Sequence, residues 1–152
     1  MKIKVGFSRP QKFNIVSWLI RLYQGMSEFS HTYLQFNMDK IDRDVVYEAS
    51  HGDVHFEELT NWSKRNKIVD EFTLEITDEH KLDLMRFCID NSNKPYGFLT
   101  LIGILLKAKI GKDDNQSFIC SELVSKALKL DGANDFLTPQ EVHDILEKRK
   151  NG

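Results

Sequence analysis

The chain predicts an α+β fold, a small antiparallel β-sheet packed against helices. Three observations carry that expectation. Short stretches rich in β-branched and aromatic residues crowd the first half of the sequence, stretches with helical spacing of apolar residues dominate the second, and apart from one early helix the two kinds do not alternate. Hydrophobic residues at 41% and charged residues at 29% are a globular mixture, and 152 residues suffice for one domain spanning 1–152 with a core of its own.

Lys2 to Phe7 alternates polar and apolar residues and reads as the first strand. Phe13 to Tyr23 follows as a helix, with Ile15, Trp18, Leu19 and Leu22 at helical spacing and Gly25 as its stop. Thr32 to Phe36 and Val45 to Ala49, separated by the polar turn Asp39 to Asp44, form a hairpin. A short strand at Val54 to Phe56 follows the Gly52-Asp53 turn, and Lys67 to Ile76 supplies another. Thr77 caps a helix from Asp78 to about Asn91, with Leu82, Met85 and Ile89 on one face. Tyr96 to Ala108 is predicted helical and Gly111 to Gln116 is a polar loop. A helix then opens at Cys120 and stops at Asp131-Gly132. The last helix begins with the capping box Thr138-Pro139-Gln140-Glu141. Phe7, Trp18, Tyr33, Phe36, Phe72 and Phe87 are the expected aromatic core.

Several function classes drop out on composition. A net charge of -2, with charges interspersed, gives no electrostatic footprint for nucleic acid. Two cysteines, Cys88 and Cys120, are too few for a disulfide framework or a cysteine-rich zinc site and fit a reducing compartment. The N-terminus lacks the pattern of a secretory signal, and the apolar run Phe98 to Leu106 is far short of the ~20 residues of a transmembrane helix. A cytoplasmic protein with no transmembrane segment is therefore expected. His51, Asp53 and His55 would share a face if extended, but the Gly52-Asp53 turn disfavours a metal site, and no metal or cofactor is expected.

The chemistry centres on Cys120. A cysteine on the first turn of a helix meets exposed N–H groups and the positive end of the dipole, which favour the thiolate. To act as a nucleophile it needs a base and a group orienting that base. Of five histidines, His31 is best placed, at the start of the first hairpin strand. Glu48 lies inside the partner strand, where Val46, Glu48 and Ser50 share one face and Val45, Tyr47 and Ala49 the other. From there it can fix the imidazole tautomer. Cys88 reads as core, Ser121 as a packing or capping residue, and Glu122 as a partner of the helix N-terminus or a loop. Trp62 packs on the sheet or lines a groove.

Histidine on one strand, glutamate on the next, then Cys120-Ser121-Glu122-Leu123-Val124 on a helix resembles the circularly permuted branch of the NlpC-type papain-like cysteine hydrolases, the YiiX-like proteins. The stretches Ser17-Trp18-Leu19-Ile20-Arg21, Val46-Tyr47-Glu48-Ala49, Pro95-Tyr96-Gly97-Phe98 and Thr138-Pro139 are similar to that pattern as well. The resemblance implies a permuted papain-like fold with Cys120 as nucleophile, His31 as base, Glu48 as orienting residue, and the Cys120 N–H in an oxyanion hole. It also implies that Ser30 or Tyr96 lines the site. Gly97 and Phe98 stand where relatives often carry an acid, and Ile119-Cys120-Ser121-Glu122 departs from the Asn-Cys-Glu-His run of lecithin-retinol acyltransferase-like families. The expected activity is hydrolysis of an acyl bond through an acyl-enzyme. An amide in a peptide or peptidoglycan-like substrate ranks ahead of a lipid ester or thioester. The rivals are a non-catalytic binding or structural protein on the same fold and an acyltransferase in which a hydroxyl or amine replaces water.

Overall fold

The computed structural model describes residues 2–38, 43–50, 52–105, 117–130 and 137–151. Five strands, β1 (Lys2–Pro10), β2 (His31–Met38), β3 (Arg43–Ser50), β4 (Asp53–Glu58) and β5 (Asn66–Glu75), form one antiparallel sheet in the order β4-β3-β2-β1-β5. The β2–β3 hairpin runs in register from Leu34 opposite Tyr47 to Met38 opposite Arg43. Gly52, at φ +113, supports the turn into β4 with a backbone conformation that side chains disfavour.

Alternation gives the sheet two different faces. Ile3, Val5, Phe7, Leu34, Phe36, Tyr47, Ala49 and Phe72 turn toward the main core. That core is closed by helices α3 (Asp78–Asn91), α5 (Cys120–Ala127) and α6 (Pro139–Asn151), through Leu84 and Cys88, Leu123 and Val124, and Val142 and Leu146. The opposite face holds a smaller cluster of Tyr33, Val46 and Trp62, the last from the short helix α2 (Leu59–Trp62). A Cβ on Gly6 would fall inside the Tyr33 ring, which lies across that glycine. Gly6→Ala is thus an overpacking change, expected to cost about 1–3 kcal/mol and to be read as a lower denaturant midpoint at unchanged slope.

Two further helices complete the described chain, α1 (Ile15–Tyr23) and α4 (Phe98–Leu105). Helix α1 starts at Ile15 rather than Phe13 because the Asn14 side chain accepts from the Ser17 N–H and caps it there. Tyr96 is not helical. It pairs instead in a bridge with Phe118, so α4 begins two residues later than expected. The predicted helix beyond Leu105, the loop Gly111 to Gln116, the Asp131-Gly132 stop and His51 lie outside the described residues. Helix α5 ends at Ala127, and Lys129 enters the left-handed region at φ 49. The α6 capping box forms as expected, with the Glu141 carboxylate 2.7 Å from the Thr138 N–H and the Thr138 hydroxyl accepting from the Glu141 N–H at 3.2 Å.

Two packing expectations need correction. Helix α3 buries Leu84 and Cys88, while Leu82 and Ile89 face outward. The Tyr47 hydroxyl donates to the Cys88 carbonyl at 3.0 Å, holding that side of the helix against the sheet. Trp18 is 40% exposed and no residue of α1 is buried, so the α1 stripe is not core, and Phe87 is only partly buried.

Candidate active site

The hairpin and the α5 N-terminus meet at one end of the sheet. His31 opens β2, and its Nε2 lies 2.6 Å from Glu48 Oε2 on β3. Glu48 is 1% exposed. Three groups besides the imidazole address its carboxylate. The Trp62 indole N–H donates to Oε2 at 2.7 Å, the Ser50 hydroxyl donates to Oε1 at 2.5 Å, and His55 Nε2 stands 3.7 Å from Oε1. Burial alone would push the Glu48 carboxyl up, but the His31 charge and these donors hold it down at about 2.

With Nε2 held by Glu48, Nδ1 is the ring nitrogen left for sulfur. Cys120 is within hydrogen-bond reach of His31, and the Thr32 and Ser121 backbone N–H groups also address its thiol. Burial works to raise the Cys120 pKa, and the neighbouring His31 charge and these donors overcome it, so the thiol is held below its ordinary value. His31 moves the other way. Burial works to lower its pKa, but the charges of Cys120 and Glu48 raise it to about 10. Cys88 shows the alternative: buried without a cation beside it, its thiol is pushed up to about 12.

A cleft of about 470 Å³ opens over His31 and Glu48, walled by α1 through Val16, Ser17 and Ile20 and by α4 through Phe98 and Leu101. Cys120 itself lines an adjoining narrow, apolar recess with Ser121, Leu137 and Pro139. Ile20, Ser30, Tyr96 and Leu101 border both spaces. Ser30 is anchored by a 2.6 Å hydrogen bond with the Ser17 hydroxyl. Burial first, then the charges of Cys120 and Glu48, raise the Tyr96 phenol and keep it a donor. The glycine after it is what lets this segment approach: a Cβ on Gly97 would lie 3.3 Å from both the Phe118 carbonyl carbon and Ile119 Cγ2.

Trp62 packs on the sheet and Ser50 shares the Glu48 face, but sequence reasoning gave neither a role as donor to the Glu48 carboxylate. For Ser50 the alternation was the available signal; for Trp62 it was only that a buried indole N–H needs a partner. Glu122, in the first turn of α5, pairs with Lys126 at 2.8 Å along its own helix. Ser121 is buried, and its hydroxyl has no hydrogen-bond partner among the described residues.

Two groups of side chains bring metal-type donors together, Glu48, His55 and Glu57, and His143, Asp144 and Glu147. The first is already committed to protein partners. Arg65 grips Glu57 with two hydrogen bonds of 2.9 and 2.6 Å, Asp53 holds His55 Nδ1 at 2.8 Å, and Glu48 is committed to His31, Trp62 and Ser50. In the second, His143 packs against Phe7, Phe29 and Phe72 and turns its Nε2 to Asp70 at 2.9 Å, while its buried Nδ1 lies 3.8 Å from Asp144 Oδ1 and has no hydrogen-bond partner among the described residues.

The α+β architecture, an antiparallel five-stranded sheet with helices packed on it, recurs in a solved structure. That structure is metalloprotein YiiX from Escherichia coli O157:H7, DUF1105, which superposes with a TM-score of 0.60 at 23% sequence identity over 84% of this chain. The chain spans 63% of the length of that protein. No protein-family model matches the chain, and no curated protein matches it.

Proposed function

We propose that this protein is a cysteine-dependent hydrolase of acyl bonds on a permuted papain-like scaffold of the NlpC type, with an amide of a peptide or peptidoglycan-like molecule as the leading substrate. The observation that carries the reading is the 2.6 Å contact between His31 Nε2 and a buried Glu48 carboxylate, with the Cys120 thiol served by the same imidazole. Orientation of a base by an acid, and of a nucleophile by that base, is what acyl transfer requires. The Cys120 thiolate attacks the carbonyl carbon, and negative charge moves to the oxygen. The Cys120 N–H, at the start of α5, is the proposed oxyanion donor. Protonated His31 gives its proton to the leaving amine as the C–N bond breaks, leaving a thioester on Cys120. His31 then takes a proton from water as the water oxygen attacks the thioester carbonyl; the C–S bond breaks, the carboxylic acid leaves, and the Cys120 thiolate beside protonated His31 is restored.

The donors around Glu48 are committed to His31, Trp62, Ser50, Arg65 and Asp53, and no step is routed through a metal. Two rivals keep the same scaffold: a binding or structural protein without turnover, and an acyltransferase, in which an alcohol or amine replaces the water.

Mass spectrometry of the intact chain after exposure to peptide thioester and lipid ester probes tests the reading. An acyl adduct on Cys120, absent in Cys120→Ala and discharged by water, is the expected result. Discharge only when an amine or alcohol is added would make the protein a transferase, and no adduct with any probe would leave the binding reading.

A further inference from the structure

Helix α1 turns its polar side inward and its apolar side out. Its few polar side chains are tied to the body of the protein: Ser17 to the Ser30 hydroxyl at 2.6 Å, and Arg21 Nε donating to the Ser27 carbonyl at 2.7 Å. Gln24, which caps the helix, donates to the Phe29 carbonyl at 3.0 Å and accepts from the Gln140 N–H at 3.0 Å. These bonds set the rotation of the helix. They leave Phe13, Ile15, Trp18, Leu19, Leu22 and Met26 between 39 and 81% exposed, uncovered by anything among the described residues. Scattered apolar side chains on a surface need no explanation, but a continuous apolar helix face held outward by hydrogen bonds on the other side does.

We propose that this face docks on the surface of an anionic lipid bilayer. Charge identifies the occupant. From Arg9 to Ser27 the chain has no acidic residue, and besides Arg21, which is tied inward to Ser27, it carries the cations Arg9 and Lys12, in a protein whose net charge is -2. Cations flanking an apolar face that includes tryptophan are the composition of a helix lying in the headgroup region, where its apolar side is buried and its cations meet anionic lipid. Pairing with a second copy would set like cations together with no carboxylate in the segment to neutralise them. The adjoining side of the same helix, Val16 and Ile20, lines the cleft over His31, and half-exposed Phe98 stands on the other wall. Docking through α1 therefore brings the cleft mouth beside the headgroups. The binding claim holds whether or not Cys120 is a nucleophile.

The full chain is mixed with vesicles of phosphatidylcholine alone and of phosphatidylcholine with phosphatidylglycerol, and binding is read by flotation and by tryptophan emission. Trp62 is fully buried, so a blue shift on binding reports Trp18. Binding to the anionic vesicles that weakens with salt, and that is at least about tenfold weaker in Trp18→Ser/Leu22→Ser, is the expected result. Neither residue touches the cleft, so alkylation of Cys120 proceeds in the double variant as in the parent and shows that the fold is intact. An inert Cys120 alongside normal vesicle binding would overturn the enzyme and leave this proposal standing. Three results would overturn the proposal itself: no binding to anionic vesicles, equal binding by the double variant, or a dimer in place of vesicle binding that the same substitutions dissociate.

Discussion

Replacing His31 with alanine is expected to slow alkylation of Cys120 at pH 6 by roughly ten- to a hundredfold. An ordinary thiol, with pKa about 8.5, is only about 0.3% thiolate at that pH, and this sets the scale of the loss. The variant should do no better than that. Cys120 is buried, burial works against its charge, and the His31 cation is the largest influence opposing it. Cys88, at about 12 with no such neighbour, is the internal comparison and should stay unlabelled in the folded protein. Iodoacetamide labelling followed by peptide mapping measures both sites at once. Rates equal to those of the parent would remove the ion pair from the mechanism. The pH profile carries the sign of each shift. Reactivity should persist below the ordinary thiol range because Cys120 is shifted down, and acyl transfer should fail as pH rises through about 10, where His31 loses the proton it must donate.

The second large effect concerns Glu48. Its folded value of about 2 lies below the ordinary 4.5, so ionisation of this carboxylate contributes stability that is complete above 4.5 and lost as pH falls through about 2. The difference corresponds to about 3 kcal/mol at most. Glu48→Gln removes that acid dependence and should lower turnover of a responsive acyl substrate by about 10²-fold or more, since an amide cannot balance imidazolium charge. Denaturation at pH 2.5 and pH 6 tests the first part: the parent should lose stability between them by more than the variant does. Trp62→Phe is the milder companion. It keeps the ring against Tyr33 but deletes the 2.7 Å donor to Glu48, a hydrogen bond to a charge worth about 1.5–3 kcal/mol. As a positioning residue, Trp62 should shift the acid limb of the profile upward, which a merely structural tryptophan would not do.

Most of the sheet and the His31, Glu48 and Cys120 constellation were legible because each rests on a local rule. Period-two alternation placed Glu48 on the Val46 and Ser50 side, and a polar turn between two β-branched runs marked the hairpin. What could not be read was the direction in which a face turns. In α1 the spacing of Ile15, Trp18, Leu19 and Leu22 was read correctly as one stripe, but hydrogen bonds from Ser17 and Arg21 to loop partners decide that the stripe points outward. In α3 two apolar stripes compete, and contact with Tyr47 selects the one containing Cys88. The Trp62 clamp joins residues on separate elements, and no spacing rule links them.

The proposed base and its acid sit only 17 residues apart on one hairpin, whereas the proposed nucleophile lies on a helix far later in the chain. A growing chain therefore holds the His31–Glu48 hairpin before Cys120 is made. Until α5 docks, the thiol has no cation beside it and behaves as an ordinary cysteine. Heightened thiol reactivity is thus expected only once the tertiary structure is complete, and a rise in labelling during refolding would time the docking of α5 directly.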